Sequence, residues 1–353
     1  MKTKHKKPVV ITPTIFLLVT FLVYFFLLQG AATADSMTLS LSSWTGPGEP
    51  AVPAWNQMAK DLEEATQGKV KVKIYHSQAL GKAKEHYELA LKGIADMAYL
   101  NVGFTPGRFP ITDMASYAHA PTGNILTTGL LKLMKEGYLD KEYQKVKLLY
   151  VWTGGPNNLL WRKGVTPATT LAEFKGKKIR VPTTAAADLM RALGASPVAI
   201  PMPEVYTAME RGVVDGTFTT PETMDLFRLS HVSNKITRMD SLTFAFCLIM
   251  NKDKWEKLPA EAKAVLQKNA EKYGLLAGGT HDRNDELAIK RHKPTINSLS
   301  PAEITKIKEI MAPSFKKYLE KYEASGHQAK KAAQLFYQVL STQFKVEPFL
   351  LPK

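Results

Sequence analysis

Short apolar runs rich in β-branched residues alternate along the chain with segments whose apolar side chains recur at helical spacing. Strict alternation of apolar and polar positions is typical of a strand, and a spacing of three or four is typical of an amphipathic helix. The first series is strand 37–44, helix 54–66, strand 70–75, helix 84–92 and strand 95–100. This β-α-β-α-β order predicts a parallel, doubly wound sheet.

A second series of the same kind follows. Strands predicted at 147–152 and 158–162 lead into it, and the segment from Thr170 to Glu173 has the sequence of a helix capping box. The series continues as strand 178–181, helix 185–193, strand 197–200, helix 203–210 and strand 213–217. The pattern therefore predicts a second α/β unit over about residues 160–240.

The last part of the chain is helical by pattern, after one more strand. Residues 242–250 form an unbroken apolar run, which predicts a strand buried on both faces. Helical spacing covers 259–293, a second capping-box sequence begins at Ser300, and a last amphipathic helix covers 328–342. The fold class that we expect is α/β, with two lobes, a long helix between them and a helical C-terminus.

The first 34 residues differ from the rest in composition. Four lysines precede an apolar run at 15–28, and Ala32 and Ala34 then supply the small residues of a cleavage site. This order predicts a secretory signal peptide cleaved after Ala34. An uncleaved anchor helix is the alternative, because the stretch counted from Pro8 is nearly long enough to span a bilayer.

Composition limits the class of protein. With 353 residues, 45% of them hydrophobic and 22% charged, the chain is long enough for two domains with packed cores. The net charge is +15, but Lys and Arg are interleaved with acids and not clustered beside aromatic residues, which argues against a nucleic-acid groove. A single cysteine excludes a disulfide scaffold.

The sequence lacks the motifs that usually carry catalysis or bind metals. Its eight histidines have no metal-ligand spacing, and Cys247 lies in an apolar run where a buried, inert thiol is expected. It has no nucleophile elbow, Walker loop or dinucleotide-binding glycine motif. We therefore expect a binding protein rather than an enzyme, with no cofactor and no metal.

Several side chains follow the ends of predicted strands, where an open parallel sheet places its ligand. Arg180 is the first candidate, because Thr183 can cap the next helix and direct its free backbone N–H groups to the same point. A guanidinium beside a helix N-terminus predicts a carboxylate site. A surface arginine beside two lysines is the alternative. The other candidates are Trp44, Asn101, Trp152, Phe218 and Thr219.

Three segments carry a family resemblance. The longest, 180–216, contains an Arg-Val-Pro element and an Asp-Gly pair, and the others are 90–97 and 248–259. Together they resemble the extracytoplasmic solute-binding subunits of tripartite ATP-independent periplasmic (TRAP) transporters, the dicarboxylate-binding family. The likeness covers nearly all of the mature chain. It implies a two-lobed fold like that of type II periplasmic binding proteins.

The resemblance also implies which residues bind the ligand. The carboxylate-binding arginine of the family falls on Arg180, and a second arginine in the preceding strand falls on Arg162. Family members often have an asparagine where this chain has Thr219, and a hydroxyl offers one donor where an amide offers two. Trp44, Asn101 and Trp152 would close over the rest of the ligand.

The implied domain organisation divides the mature chain between two lobes that it enters twice each. The segments are a signal peptide over 1–34, lobe I over 35–158 with about 246–286, lobe II over 159–245 with about 287–325, and a C-terminal helix and tail over 326–353. The chain would therefore cross between the lobes more than once, as a hinged clamp requires.

The expected function is high-affinity binding of an organic acid in the periplasm and its delivery to the membrane subunits of a TRAP transporter. The protein would act as a monomer and would not bind nucleic acid. An extracytoplasmic sensor for a signalling receptor and a binding component of an ATP-driven importer are the alternatives. Two tryptophans and a threonine-rich loop favour a monocarboxylate with an apolar or aromatic body over a small dicarboxylate.

Overall fold

A computed structural model describes residues 36–346, which form two mixed β-sheets with helices packed around them. The strands are β1 Met37–Ser42, β2 Val70–Tyr75, β3 Met97–Asn101, β4 Val146–Thr153, β5 Asn157–Arg162, β6 Lys178–Val181, β7 Ser196–Ala199, β8 Gly216–Thr219, β9 Ser233–Ser241, β10 Ala245–Asn251 and β11 Thr295–Ser298. The α-helices are α1 Val52–Ala65, α2 His86–Leu91, α3 Pro110–Asp113, α4 Gly123–Lys135, α5 Thr184–Ala192, α6 Val205–Glu210, α7 Thr223–Leu226, α8 Lys252–Glu256, α9 Ala260–Lys268, α10 Ala270–His292, α11 Pro301–Ala324 and α12 Ala329–Phe344.

The predicted signal peptide over 1–34 lies outside the described residues. Within residues 36–346, no helix is both long enough and apolar enough to cross a membrane.

The first sheet has the strand order β2-β1-β3-β10-β4. Strands β1 and β3 are parallel, as predicted, whereas β10 is antiparallel to both β3 and β4. Strand β10 is the unbroken apolar run of the sequence, and its residues from Ala245 to Met250 are all buried. The prediction of a strand buried on both faces is therefore confirmed.

The second sheet has the strand order β11-β9-β5-β8-β6-β7. Strand β6 is parallel to β7 and β8, but β5 is antiparallel to β8 and β9. The prediction of a parallel sheet therefore holds for β6, β7 and β8, but it is wrong for β5, which is antiparallel to both of its neighbours. The reason is the short connection from β4 to β5, Gly154 to Pro156, because it makes β5 enter the second sheet at the edge where β6 and β8 end.

Most other boundaries agree with the sequence pattern to within a few residues. The helix predicted over 259–293 is divided into α9 and α10. The predicted capping box at Thr170 does not form, because Glu173 accepts the backbone N–H of Thr169 and the Thr170 side chain caps nothing. The second predicted capping box, between Ser300 and the third residue of α11, is present.

Helix α10 contacts elements that belong to both sheets. His281 lies 3.6 Å from a carboxylate oxygen of Glu49, which precedes α1, and 2.7 Å from one of Glu222, which follows β8. The next residue of α10, Asp282, accepts the backbone N–H of Gly123 at 2.7 Å. The long helix expected between the lobes is therefore α10.

Candidate binding site

A cavity lies between the two sheets, where β3, β6 and β8 reach their carboxyl ends. Its volume is about 30 Å³, which is room for about two water molecules. An organic acid can therefore bind only when parts of the wall move. The wall consists of a polar group around Arg180, a set of aromatic side chains and an acidic group around Glu222.

Arg180 is buried in the wall, with 1% of its surface exposed. Its Nε donates a hydrogen bond to the carbonyl oxygen of Ile200 at 2.7 Å, and its Nη1 has no hydrogen-bond partner among the described residues. Burial lowers the pKa of the guanidinium to about 9, so the group stays charged at neutral pH. A buried cation with a free donor is a strong site for an anion.

Two neutral side chains complete this polar group. Thr219 lines the cavity from β8, and its Oγ1 is buried with no partner in the described part of the chain. Asn101 ends β3, and its Oδ1 accepts the backbone N–H of Gly103 at 2.9 Å. The amide nitrogen is then the donor that Asn101 can offer to a ligand.

Aromatic side chains form most of the remaining wall. Trp44 stacks on Tyr99 with ring centroids 5.2 Å apart, and it stacks on Phe227 at 6.3 Å. Phe244 and Phe246 line the cavity as well. These rings give the cavity an apolar surface that suits the flat or apolar part of a ligand.

Trp152 lies behind this wall and does not line the cavity, which corrects its expected position. It is fully buried and stacks on the cavity residue Tyr99 at 5.4 Å. Its Nε1 donates to Nε2 of His281, which does line the cavity. Trp152 therefore contacts two cavity-lining residues from behind.

The structure also corrects the position of Phe218. Arg180 is paired with Thr217 across the parallel strands β6 and β8, and successive residues of a strand point to opposite faces. Thr219 therefore shares the cavity face with Thr217, whereas Phe218 lies on the other face, in the apolar core.

Thr183 caps α5 as expected, since its Oγ1 accepts the N–H of Ala186 at 3.2 Å. Its methyl group lies beside Gly103 at the edge of the cavity, and Thr183 is not part of the cavity wall. It therefore positions the start of the helix that follows Arg180.

Arg162 is far from the cavity, contrary to expectation. It ends β5, and antiparallel pairing with β8 places Asn158, near the start of β5, opposite Thr219. The Arg162 side chain is therefore at the other end of the sheet, where its guanidinium lies 4.0 Å from Asp215. The family resemblance gives the position of Arg162 along the chain, and this position does not determine the direction of its strand.

The acidic group of the wall consists of residues that the sequence analysis did not identify. Glu222 Oε1 lies 2.7 Å from Nδ1 of His281, and Glu49 accepts a hydrogen bond from the hydroxyl of Tyr99 at 3.2 Å. Burial raises the pKa of Glu49 to about 7 and that of Glu222 well above its ordinary value, and it lowers the pKa of His281. The group therefore carries less charge than its composition suggests.

No short-range signal could have identified this acidic group. Glu222 and His281 are 59 positions apart, and neither residue belongs to a spacing motif. Over residues 36–346, no three His, Cys, Asp or Glu side chains are arranged to hold a metal ion.

A cavity between two α/β lobes is the arrangement of a solute-binding protein. The family model described as bacterial extracellular solute-binding protein, family 7 (DctP), matches residues 41–321. The chain belongs to this family, which confirms both the resemblance found in the sequence and the two-lobed α/β fold class.

Individual proteins give the same result. The C4-dicarboxylate-binding periplasmic protein DctP of Rhodobacter capsulatus is 26% identical over 86% of this chain and 92% of its own. A TRAP periplasmic solute-binding protein of Bordetella bronchiseptica, solved with bound (R)- and (S)-mandelate, is 25% identical with a TM-score of 0.79, over 86% of this chain and 99% of its own.

A third comparison concerns a marine metagenome TRAP solute-binding protein from an unidentified microbe, which is specific for aromatic acid ligands and was solved with metahydroxyphenylacetate. It is 24% identical with a TM-score of 0.80, over 88% of this chain and all of its own. At this identity the likeness shows the fold alone.

Proposed function

We propose that this protein binds an organic acid in the periplasm and delivers it to the membrane subunits of a TRAP transporter. The observation that carries the proposal is Arg180, because it is a buried cation with a free Nη1 in the wall of a cavity between two lobes. A carboxylate supplies the missing acceptor and the missing negative charge together. The periplasmic relative and the TRAP neighbours support the assignment.

Binding would begin with the lobes apart, since the closed cavity is too small for an organic acid. The carboxylate pairs with Arg180, and Thr219 and Asn101 add neutral hydrogen bonds. Burying the ion pair is tolerable because several donors surround it. The aromatic wall then covers the body of the ligand.

The wall favours a monocarboxylate with an apolar or aromatic body. Trp44, Phe227, Phe244 and Phe246 all face the cavity, and Arg180 is its only arginine or lysine in the described structure. A second carboxylate would lie against buried acids without a cation to pair with. The aromatic acids bound by the two TRAP neighbours are consistent with this ligand class.

Closure would also be the signal to the transporter. A ligand that contacts both lobes favours the closed state, and moving an equilibrium from mostly open to mostly closed takes about 5.5 kcal/mol of differential affinity. The segments before β5 and before β10 connect the two sheets, with α10 beside them, and we expect these connections to bend. We place lobe I at 35–158 with about 246–286, and lobe II at 159–245 with about 287–325, and we expect a monomer.

The test is the binding of carboxylic acids to the exported, purified protein. Thermal-shift screening against benzoate, phenylacetate, mandelate and C4-dicarboxylates, followed by calorimetry, should identify at least one monocarboxylate ligand. Arg180→Ala should weaken its binding by about 2 to 5 kcal/mol, because the anion is left unpaired.

Arg108→Ala is the matched control. Arg108 is exposed and lies over the ring of Tyr87, away from the cavity. Its variant should bind like the wild type. Equal binding by the wild type and Arg180→Ala would show that the carboxylate site lies elsewhere.

A further inference from the structure

Glu222 has one carboxylate oxygen in use and one free. Oε1 lies 2.7 Å from Nδ1 of His281 and accepts the hydroxyl of Thr220 at 3.3 Å. Oε2 is buried and has no partner among the residues from 36 to 346. Glu222 lines the same cavity as Arg180, and 6% of its surface is exposed. Buried polar atoms in proteins are normally hydrogen-bonded. We therefore expect Oε2, which has no partner and lies at the cavity, to bind a polar group of the ligand.

The hydrogen-bond chain around His281 determines where its proton lies. The indole Nε1 of Trp152 can only donate, and it lies 3.3 Å from Nε2 of His281. Nε2 must therefore accept, and the imidazole proton sits on Nδ1, where it is donated to Oε1 of Glu222. This arrangement fixes the Glu222 side chain and leaves Oε2 for the ligand.

Glu49 is less suited to this role. It accepts the hydroxyl of Tyr99 through Oε1, and the same oxygen is 3.6 Å from Nε2 of His281, which is too far for a hydrogen bond. Neither of its oxygens is among the buried atoms left without a partner in the described chain. Glu222 is therefore the acid with unused hydrogen-bonding capacity.

We propose that Glu222 is a specificity-determining residue that binds a hydroxyl group of the ligand, so that the protein selects hydroxylated monocarboxylic acids over their unsubstituted parents. This inference rests on the proposed function. A hydroxyl both donates and accepts, so it can pair with Oε2 whether or not Glu222 carries a proton. An ammonium can only donate, and a carbonyl or ether can only accept.

The protonation equilibrium of Glu222 also favours a hydroxyl as the ligand group that it binds. Burial raises its pKa, and the neighbouring Asp282 raises it further. Asp285 accepts the backbone N–H of Glu222 at 2.8 Å and has a raised pKa as well. A ligand carboxylate placed here would add a charge where carboxylates are already disfavoured.

The experiment measures dissociation constants for phenylacetate and for its ring-hydroxylated, ring-methoxylated and aminomethylated forms, each at the ortho, meta and para positions. For the wild type, at least one hydroxylated isomer should bind at least tenfold more tightly than phenylacetate. The same isomer should bind more tightly than its methoxy and aminomethyl counterparts.

Two variants assign the preference to Glu222. Glu222→Leu should lose the preference for the hydroxylated isomer, measured as the ratio of the dissociation constants of phenylacetate and that isomer in the same variant. Glu204→Leu, at an exposed position of the same lobe, should keep it. The wild-type panel needs no substitution, so the absence of any hydroxyl preference overturns the inference even if Glu222→Leu does not fold.

The outcomes separate the two proposals. If no acid binds, or if Arg180→Ala binds all of them normally, the proposed function fails. If acids bind through Arg180 but no hydroxylated isomer is preferred, or an aminomethyl form is preferred, the inference about Glu222 is wrong and the proposed function stands. A hydroxyl preference that survives in Glu222→Leu also overturns the inference.

Discussion

The Nε of Arg180 donates a hydrogen bond to the carbonyl oxygen of Ile200, with the nitrogen and the oxygen 2.7 Å apart. Strand β7 ends one residue before Ile200 and is paired with β6, which carries Arg180. The guanidinium is therefore held by a hydrogen bond within its own sheet. Its Nη1 has no partner among the described residues and can bind the ligand. A fixed, planar fork loses little conformational entropy when a carboxylate binds.

Arg180→Lys should therefore weaken carboxylate binding although it keeps a positive charge. A lysine ammonium cannot hold Ile200 and present a planar pair of donors to the ligand at the same time. We expect a loss of about 2 kcal/mol, roughly thirtyfold in Kd, by calorimetry. Arg191→Lys, at an exposed ion pair with Asp188, is the control and should bind normally. Wild-type affinity in Arg180→Lys would mean that charge alone defines the site.

Thr219→Val separates ligand binding from stability. The two side chains have nearly the same shape, and the Oγ1 that is removed is buried without a partner among the described residues. An unsatisfied buried hydroxyl costs free energy, so the variant should be as stable as the wild type or more stable. It should bind the ligand about 1.5 kcal/mol more weakly, roughly tenfold in Kd, because a hydrogen bond to the carboxylate is lost. Unchanged affinity would remove Thr219 from the site.

Gly103 tests whether closure is required for tight binding. It follows β3 of the first sheet, and an alanine Cβ there would lie 2.9 Å from the carbonyl oxygen of Pro182, which follows β6 of the second sheet. Backbone cannot yield without separating the two segments, so Gly103→Ala should favour the open form. We expect Kd to rise roughly tenfold or more, with little change in the free energy of unfolding.

Solution scattering with and without ligand is the direct measurement for Gly103→Ala. The variant should keep a larger radius of gyration than the wild type at equal ligand concentration. Gly46→Ala is the control, because its Cβ would meet only the Ser77 hydroxyl at 3.7 Å. If Gly103→Ala closes and binds like the wild type, the two segments do not limit closure.

Local sequence information was enough to predict that Arg180 lies at the strand ends that line the cavity. Arg180 stands in a compact element, between a strand and a capped helix, so the residues that position it are its neighbours in sequence. The strands of the first sheet were predicted for a similar reason, because apolar runs report burial directly. Helix α4 was not predicted, since its glycines and threonines dilute the helical pattern.

The remaining errors arise where distant segments meet. Phe218 was misplaced because strand register decides which face a residue occupies. Arg162 was misplaced because strand direction in the second sheet depends on a connection from the first. Glu222 and His281 come together only after both lobes and α10 have formed. Sequence periodicity carries none of this information.

Glu49 provides a prediction of pH dependence. Burial raises its pKa in the folded protein from 4.5 to about 7. The folded state therefore holds this proton more tightly than the unfolded state does. The resulting contribution to stability is complete below about pH 4.5 and is lost as the pH rises through about 7.

Glu49→Gln cannot lose a proton, so its stability relative to the wild type should improve as the pH rises. We expect the free energy of unfolding of Glu49→Gln, relative to that of the wild type, to rise by up to about 3 kcal/mol between pH 4.5 and pH 7 and then to level off. Denaturant unfolding of both proteins at several pH values measures it. Glu204→Gln, at an exposed position, should show no such trend. A constant difference across this range would mean that Glu49 is ionised in the folded protein, with His281 and Tyr99 stabilising its charge.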